Sequence, residues 1–419
     1  MSSPPTLAVV WAQYGPYHFA RAATLARFAA PSVVHAIEVA GRTDEYEWAR
    51  GTNGLNLITL CPGEVTEQVA FSAVFLRARR QLASLKVGSC FLPSYAPRQS
   101  LAVLLAAKSL GLRTVMMNET HAGTARATGL AAWVKRRLIG LFDAALVGGL
   151  PQKRYFASMG LAEDKIFTGY DAVDNDYFFR RAEEVRSSAM EVRTAYSLPD
   201  HYFLSLGRFV AKKNLETLIR AYRLYLNTSL RKETHLVMVG SGAEEPKLQA
   251  LCRELNLPIY DHSALCTLHS KLCTPAVHFY GFRQIDENPA FYALADAFIL
   301  PSQWEEWGLV VNEAMACGSP VAVSETAGCA EDLLEAGCPA GAGAARKELE
   351  RFGLSARLRR NGFVFNPGSS EELSRVLLAF EGSTSLRASM AVESRRIVER
   401  FSCEKFAQNA LRAAEAALS

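Results

Sequence analysis

Long apolar runs are missing from this chain. No stretch of 18 consecutive apolar residues occurs, so a membrane-spanning helix is not expected. Paired cysteines are missing as well. The nine cysteines are Cys61, Cys90, Cys252, Cys266, Cys273, Cys317, Cys329, Cys338 and Cys403. They form no Cys-x-x-Cys and mostly sit in apolar runs, which argues against a zinc site or a disulfide framework and fits a reducing cytosol. No Gly-x-x-x-x-Gly-Lys-Ser/Thr loop occurs, so a P-loop NTPase is unsupported. Charge of one sign is also lacking. The 46 basic and 42 acidic side chains leave a net +4, too little for a nucleic-acid partner. The start, Met1-Ser-Ser-Pro-Pro, runs into a strand-like segment at 7–11 without a basic region or long apolar core, so no signal peptide is expected.

What is there is a globular composition: 419 residues, 49% from the apolar and aromatic set and 21% charged. That length suggests two or three domains and a sizeable core. Short apolar runs alternate with amphipathic stretches. Strands are expected at 7–11, 33–38, 56–60, 89–93, 113–117 and 143–147, then at 202–206, 235–239, 277–280, 297–300, 320–323 and 363–365. Helices are expected at 17–30, 66–84, 98–110, 127–140 and 151–160, then at 214–226, 244–255, 288–295, 309–317 and 370–380. Strands alternating with helices argue for parallel sheets covered on both faces. The polar stretch 179–199 reads as a part-helical linker. Segments 258–275 and 339–361 read as insertions, and the tail from 386 as helical with a break near Phe401. Ligands of open α/β sheets bind beyond the carboxyl ends of the strands, so function is sought in those loops.

Two loops carry the chemistry. In Gly207-Arg-Phe-Val-Ala-Lys-Lys-Asn214, a strand ends, Gly207 lets the chain turn, and Arg208 and Lys213 flank a helix start that Asn214 would cap. Cations and free helix N–H groups together suit an anion. In Pro301-Ser-Gln-Trp-Glu-Glu-Trp-Gly-Leu-Val-Val-Asn-Glu313, Gly308 permits close backbone approach and Leu309 and Val310 open a helix. Glu305 lies in the loop and Glu313 about one turn into the helix. A carboxylate for vicinal hydroxyls beside a helix end for phosphate matches a nucleotide sugar.

These two clusters, in this order, resemble the family 4 glycosyltransferases of the GT-B fold. Residues 202–335 carry the resemblance, and Asn361-Gly-Phe-Val-Phe-Asn-Pro367 continues it. It implies two facing Rossmann-like α/β domains with an interdomain donor cleft: an N-terminal acceptor-side domain at 1–178, the linker 179–199, a donor-side domain at 200–385, and C-terminal helices 386–419 crossing back. It implies a cytoplasmic, metal-independent, retaining transferase that moves a sugar from a nucleotide-diphosphate sugar to a saccharide, lipid-linked or small-molecule acceptor, with no bound cofactor. Arg208 and Lys213 would bind the diphosphate, Glu305 the sugar, Glu313 the ribose, and the backbone near Gly281-Phe282 the base. Glu306-Trp307 replaces the family's usual Gly-Phe, so a bulkier loop is expected.

In the N-terminal half, Gly15 of Ala12-Gln-Tyr-Gly-Pro-Tyr-His18 would stand in the family's glycine-rich loop. Either Glu119 or His121, after the strand at 113–117, would occupy the place of the family's donor-side histidine. Asp174-Asn-Asp176 offers a metal-binding alternative that the resemblance disfavours. Leu130–Phe142, with Trp133, Lys135, Arg136 and Arg137 among leucines, is a candidate for peripheral contact with the inner membrane surface. Two other functions compete: a sugar-nucleotide epimerase or hydrolase on the same fold, and a non-catalytic nucleotide-sugar-binding protein.

Overall fold

The computed structural model describes residues 6–43, 55–229, 233–262, 274–339, 350 and 353–418. The chain forms two compact units, one of residues 1–174 with 400–419 and one of residues 175–399.

The first unit holds strands β1 (Leu7–Trp11), β2 (Val34–Arg42), β3 (Leu57–Val65), β4 (Ser89–Leu92), β5 (Arg113–Asn118), β6 (Ala144–Val147) and β7 (Ile166–Thr168). They lie in the order β3-β2-β1-β4-β5-β6-β7, every pairing parallel. Parallel sheets need cover on both faces, and β1 shows why this one has it. Ala8 and Val10 enter one core with the helices Phe71–Ser84 and Arg98–Ser109. Leu7, Val9 and Trp11 enter the other with the helices Pro16–Ala29 and Cys403–Leu418. Along the last helix Phe406, Ala407, Ala410, Ala413, Ala414 and Ala417 form one buried stripe. Its small side chains let the helix lie close to Phe19, Ala22 and Leu25.

The second unit holds β8 (Tyr202–Leu206), β9 (His235–Val239), β10 (Ile259–Asp261), β11 (Val277–Phe279), β12 (Ala297–Leu300), β13 (Val321–Ser324), β14 (Leu358–Arg359) and β15 (Gly362–Phe365). Their order is β10-β11-β9-β8-β12-β13-β15-β14, parallel except for the β14–β15 edge. Phe203, Leu236, Met238, Phe279, Ile299 and Phe363 point into one core with helices Leu215–Thr228 and Ser370–Gly382. On the other face, His278 bridges His235 and His262 at 3.0 Å each. Burial pushes the His278 imidazole down to about 2, with the two neighbouring imidazoles acting in the same direction, so the ladder stays neutral.

The stretch read as a linker is two helices, Asn175–Ser187 and Ala189–Tyr196, both within the second unit. Phe178, Ala182 and Val185 recur at helical spacing and are buried, which anchors the first of them despite its many charges. Helix Thr384–Val398 also stays with the second unit, and only Cys403–Leu418 packs on the first sheet. Strands β7, β10 and β14 were too short to read as periodic patterns. Most of the two expected insertions, including Cys266 and Cys273, falls outside the described residues. No described helix is long and apolar enough to cross a membrane.

The alanine stripe makes a checkable prediction. Phe406→Ala, at a fully buried position, should cost about 3–5 kcal/mol. Met190→Ala, 82% exposed, should stay within about 0.5 kcal/mol of wild type. Chemical denaturation of the full chain measures both.

Candidate active site at the strand ends

In the second sheet the chain leaves β8 toward β9 on one side and returns to β12 on the other. The loops after β8 and β12 therefore meet at the point where strand order reverses, the usual place for a ligand in an open α/β sheet. Glycine shapes this place. Gly207, Gly240 and Gly242 have φ of +147°, +132° and +156°. A side chain at Gly240 would put its Cβ 1.9 Å from the Gly207 carbonyl oxygen, and one at Gly242 would put it 2.3 Å from that of Phe209. The loops are stitched by backbone hydrogen bonds: Gly207 N–H donates to Val239 (2.9 Å), Phe209 N–H to Ser241 (2.7 Å) and Gly240 N–H to Gly281 (2.8 Å). Gly240-Ser-Gly242 is weak as a sequence pattern and strict in the fold, because bare backbone is the only thing that fits.

Onto this floor the second loop brings charge. Lys213 forms an ion pair with Glu305. Lys212 Nζ lies 3.5 Å from Glu305 Oε1 and 2.6 Å from Glu306 Oε2. Ser302 Oγ donates to Glu305 Oε2 at 3.2 Å. Burial raises the Glu305 carboxyl, but the Lys213 and Lys212 ammonium groups outweigh it and hold the group below its ordinary 4.5. Arg208 stands exposed on the same loop, and a small pocket opens there between Gly207, Arg208, Lys213, Leu300 and Pro301. Asn214 sits at the helix start in a left-handed conformation, φ +52°. Its side chain does not cap that helix. It donates instead to the carbonyls of Pro301 (3.0 Å) and Pro367 (2.8 Å), tying the β8 and β12 loops together.

Gly308, φ +109°, lies against Leu300 and Glu305, and the helix Leu309–Ala316 follows with its first N–H groups unpaired within the helix. Trp307 is wholly buried and donates to Asn312 Oδ1 at 2.9 Å. The expected bulkier loop is therefore corrected: the indole turns into the interior, and of the two replacing residues Glu306 is the one that stays partly exposed. Glu313 is fully buried, and Asn288 donates to it at 3.5 Å. Gly281, φ +66°, precedes a 41% exposed Phe282.

Gly15, Glu119 and His121 belong to the first unit, where β1 is the reversal strand. Gly15 N–H donates to His18 Nδ1 at 3.0 Å, and the His18 ring stacks on Trp11 at 4.5 Å. Burial, with Arg21 nearby, lowers that imidazole to about 3. His121 is buried and accepts from Gly123 N–H at 3.2 Å. Asp171, fully buried, faces Arg21 at 3.8 Å. Burial first and the Glu119 carboxyl second push Asp171 well above the usual carboxylate range. The sequence reading passed over Arg21, Asp171, Lys212 and Asn288, and it noted Glu306 only as bulk in the loop. Lys212 and Glu306 each adjoin a residue it chose, and only the fold shows that they meet. Asp176 lies in the first turn of Asn175–Ser187. Among the described residues no cluster of three or more metal-ligating side chains occurs.

Residues 200–380 match the family model described as Glycosyl transferases group 1. The uncharacterized glycosyltransferase MJ1607 of Methanocaldococcus jannaschii is 34% identical over 128 residues, 30% of this chain and 28% of that one. The serotype-specific mannosyltransferase WbdA of Escherichia coli is 30% identical over 161 residues, 38% of this chain and 18% of its own. The chain thus spans under a third of the length of these curated relatives. Among solved structures, Anabaena Alr3699/HepE in complex with UDP and glucose superimposes with a TM-score of 0.66 at 16% identity, over 97% of this chain and 98% of that one. The fold is that of the GT-B glycosyltransferases. Within it, the similarity to group 1 glycosyl transferases covers residues 200–380, a little under half of the chain.

The paired Glu305 sets a pH dependence. Its folded-state value is depressed, so its contribution to stability is complete above 4.5 and is lost as pH falls through the lower folded value. Glu305→Gln should therefore melt below wild type at pH 7. That gap should narrow steadily in thermal melts taken below pH 4.5.

Proposed function

We propose that the protein is a retaining glycosyltransferase that moves a sugar from a nucleotide-diphosphate sugar to an acceptor hydroxyl in glycan or glycoconjugate biosynthesis. One observation carries the reading: a glycine-only floor, two cations and a buried carboxylate meet at the strand-order reversal of a unit similar to group 1 glycosyl transferases. A diphosphate fits this place. Arg208 and Lys213 counter the charge that accumulates on it as the glycosidic bond breaks, and the N–H groups of Leu309 and Val310 add fixed positive dipoles. Glu305 contacts the donor sugar, Glu313 the ribose hydroxyls, and the backbone at Gly281 and Phe282 the base. These roles follow the family resemblance, as does retention by front-face attack with the leaving phosphate taking the acceptor proton. Protein cations supply the countercharge, so turnover is expected to persist in excess chelator.

The test is incubation of the chain with UDP-, GDP- and ADP-sugars and analysis of the products by NMR. Transfer with retained anomeric configuration supports the reading. Hydrolysis, epimerisation or unchanged donor would each replace it. With a donor in hand, Lys213→Ala should lower kcat roughly 10- to 100-fold, at about 1.4 kcal/mol per decade, because its partner charge grows only in the transition state. Glu313→Gln should act chiefly on donor KM, since ribose does not change charge in the reaction.

We infer further that the acceptor side works against a membrane. Helix Gly129–Ile139 turns Leu130 (77% exposed), Trp133 (54%) and Val134 (43%) to solvent, with Arg136 and Arg137 exposed beside them. No acidic residue occurs between Thr120 and Phe142. Apolar side chains ringed by cations suit an anionic lipid surface. In sedimentation with phosphatidylglycerol vesicles, a Leu130→Ser/Trp133→Ser variant should bind at least about tenfold more weakly than wild type. That factor is modest beside the burial energy of two large apolar side chains.

A further inference from the structure

The charges at the strand-order reversal exceed what donor binding alone requires. Glu305 faces two ammonium groups, and only Lys213 is needed for the diphosphate. The second, Lys212, reaches Glu305 at 3.5 Å while its closer partner is Glu306 at 2.6 Å. Glu306 stands at 37% side-chain exposure on the loop after β12, and Lys212 at 22% on the loop after β8.

Consider what a diphosphate does here. Its charges draw Lys213 away from Glu305. That carboxylate has a side chain only 9% exposed. Left without a counter-ion at such a site, it would bear a desolvated charge or take up a proton. A proton there would turn one acceptor face toward the sugar hydroxyls into a donor. Lys212 is close enough to remain as counter-ion, provided that it does not follow Lys213 to the phosphates. Both lysines lie on one loop with flexible stems, and Arg208 repels Lys212 on that loop, so something must restrain it. The Glu306 carboxylate does so.

We propose that Glu306 is a positioning residue that holds Lys212 beside Glu305, so that Glu305 keeps a counter-ion when Lys213 turns to the donor diphosphate. This rests on the donor reading given above. Lys212 and Lys213 approach Glu305 from the loop after β8, Ser302 and Glu306 lie on its own loop, and the Cys329 thiol sits across Gly308. Of these, only the two ammonium groups lower the Glu305 carboxyl through their charge.

The consequences separate Glu306 from a merely structural residue. In Glu306→Gln, Lys212 is free to join the diphosphate. The dissociation constant of the matching nucleoside diphosphate, measured by calorimetry with UDP, GDP and ADP, should fall by about three- to tenfold, the scale of one partly exposed charged contact. The acidic limb of the kcat profile should move to higher pH, because Glu305 loses its remaining counter-ion in the complex. Lys212→Met should move that limb in the same direction without tightening the nucleoside diphosphate. The double variant should restore wild-type affinity and keep the shifted limb. If Glu306→Gln leaves both affinity and limb unchanged, or lowers activity equally at every pH, the proposal is wrong. Should Glu306→Gln fail to fold, an unmoved limb in folded Lys212→Met overturns it alone. A wild-type chain that binds none of the three nucleoside diphosphates overturns the donor reading as well. A wild type that binds one of them, with an indifferent Glu306→Gln, overturns only this inference.

Discussion

The carbonyl of Gly207 occupies the space that any side chain at Gly240 would need. That steric exclusion is the constraint on which the candidate site depends. It brings the loops after β8, β9 and β11 into backbone contact, and it leaves the end of the sheet bare. A ligand can then approach the main chain closely. Larger residues would spread the loops and draw Lys213 away from Glu305. Three glycines at positive φ cost conformational entropy on folding, and the close approach they permit is what that cost secures.

Charge is arranged around that floor on a different principle. Glu305 is buried, and burial alone would favour its neutral form. Two ammonium groups reverse the preference. The pairing crosses between two loops separated by more than ninety residues of chain, so the ionised carboxylate is a property of the fold rather than of its own segment. The first unit handles a buried carboxyl in the opposite way. Asp171 faces both Arg21 and the Glu119 carboxyl, and there burial and the like charge prevail and its value rises. Two buried acids thus shift in opposite directions within one chain, Glu305 downward beside two ammonium groups and Asp171 upward through burial and a like charge.

Much of the architecture was legible in the residues. Strands such as 202–206 and 235–239 coincide with the observed elements because continuous apolar runs mark strands covered on both faces. Two-residue and three-residue strands such as β14 and β7 carry no period to read. The charged stretch around 180 read as a linker because its many arginines and glutamates obscure a three-residue apolar stripe at helical spacing. At the site, Arg208, Lys213, Glu305 and Glu313 were legible as parts of ordered motifs. The direction in which Trp307 points was not. An indole beside a glycine reads as bulk in the loop, and burial with a hydrogen bond to Asn312 is what turned it inward.

By itself the sequence determined most of the longer strands and helices, because side-chain periodicity is a local property. It determined which loops carry cations, carboxylates and glycines, because those are matters of identity and order. Only the tertiary structure decided which loops adjoin. The crossing of the chain from β9, β10 and β11 back to β12 sets Lys212 against Glu306 and Lys213 against Glu305, and no spacing along the chain encodes that meeting. It also decided the direction in which the Glu305 and Asp171 carboxyls shift, because each responds to burial and to charges far away in sequence.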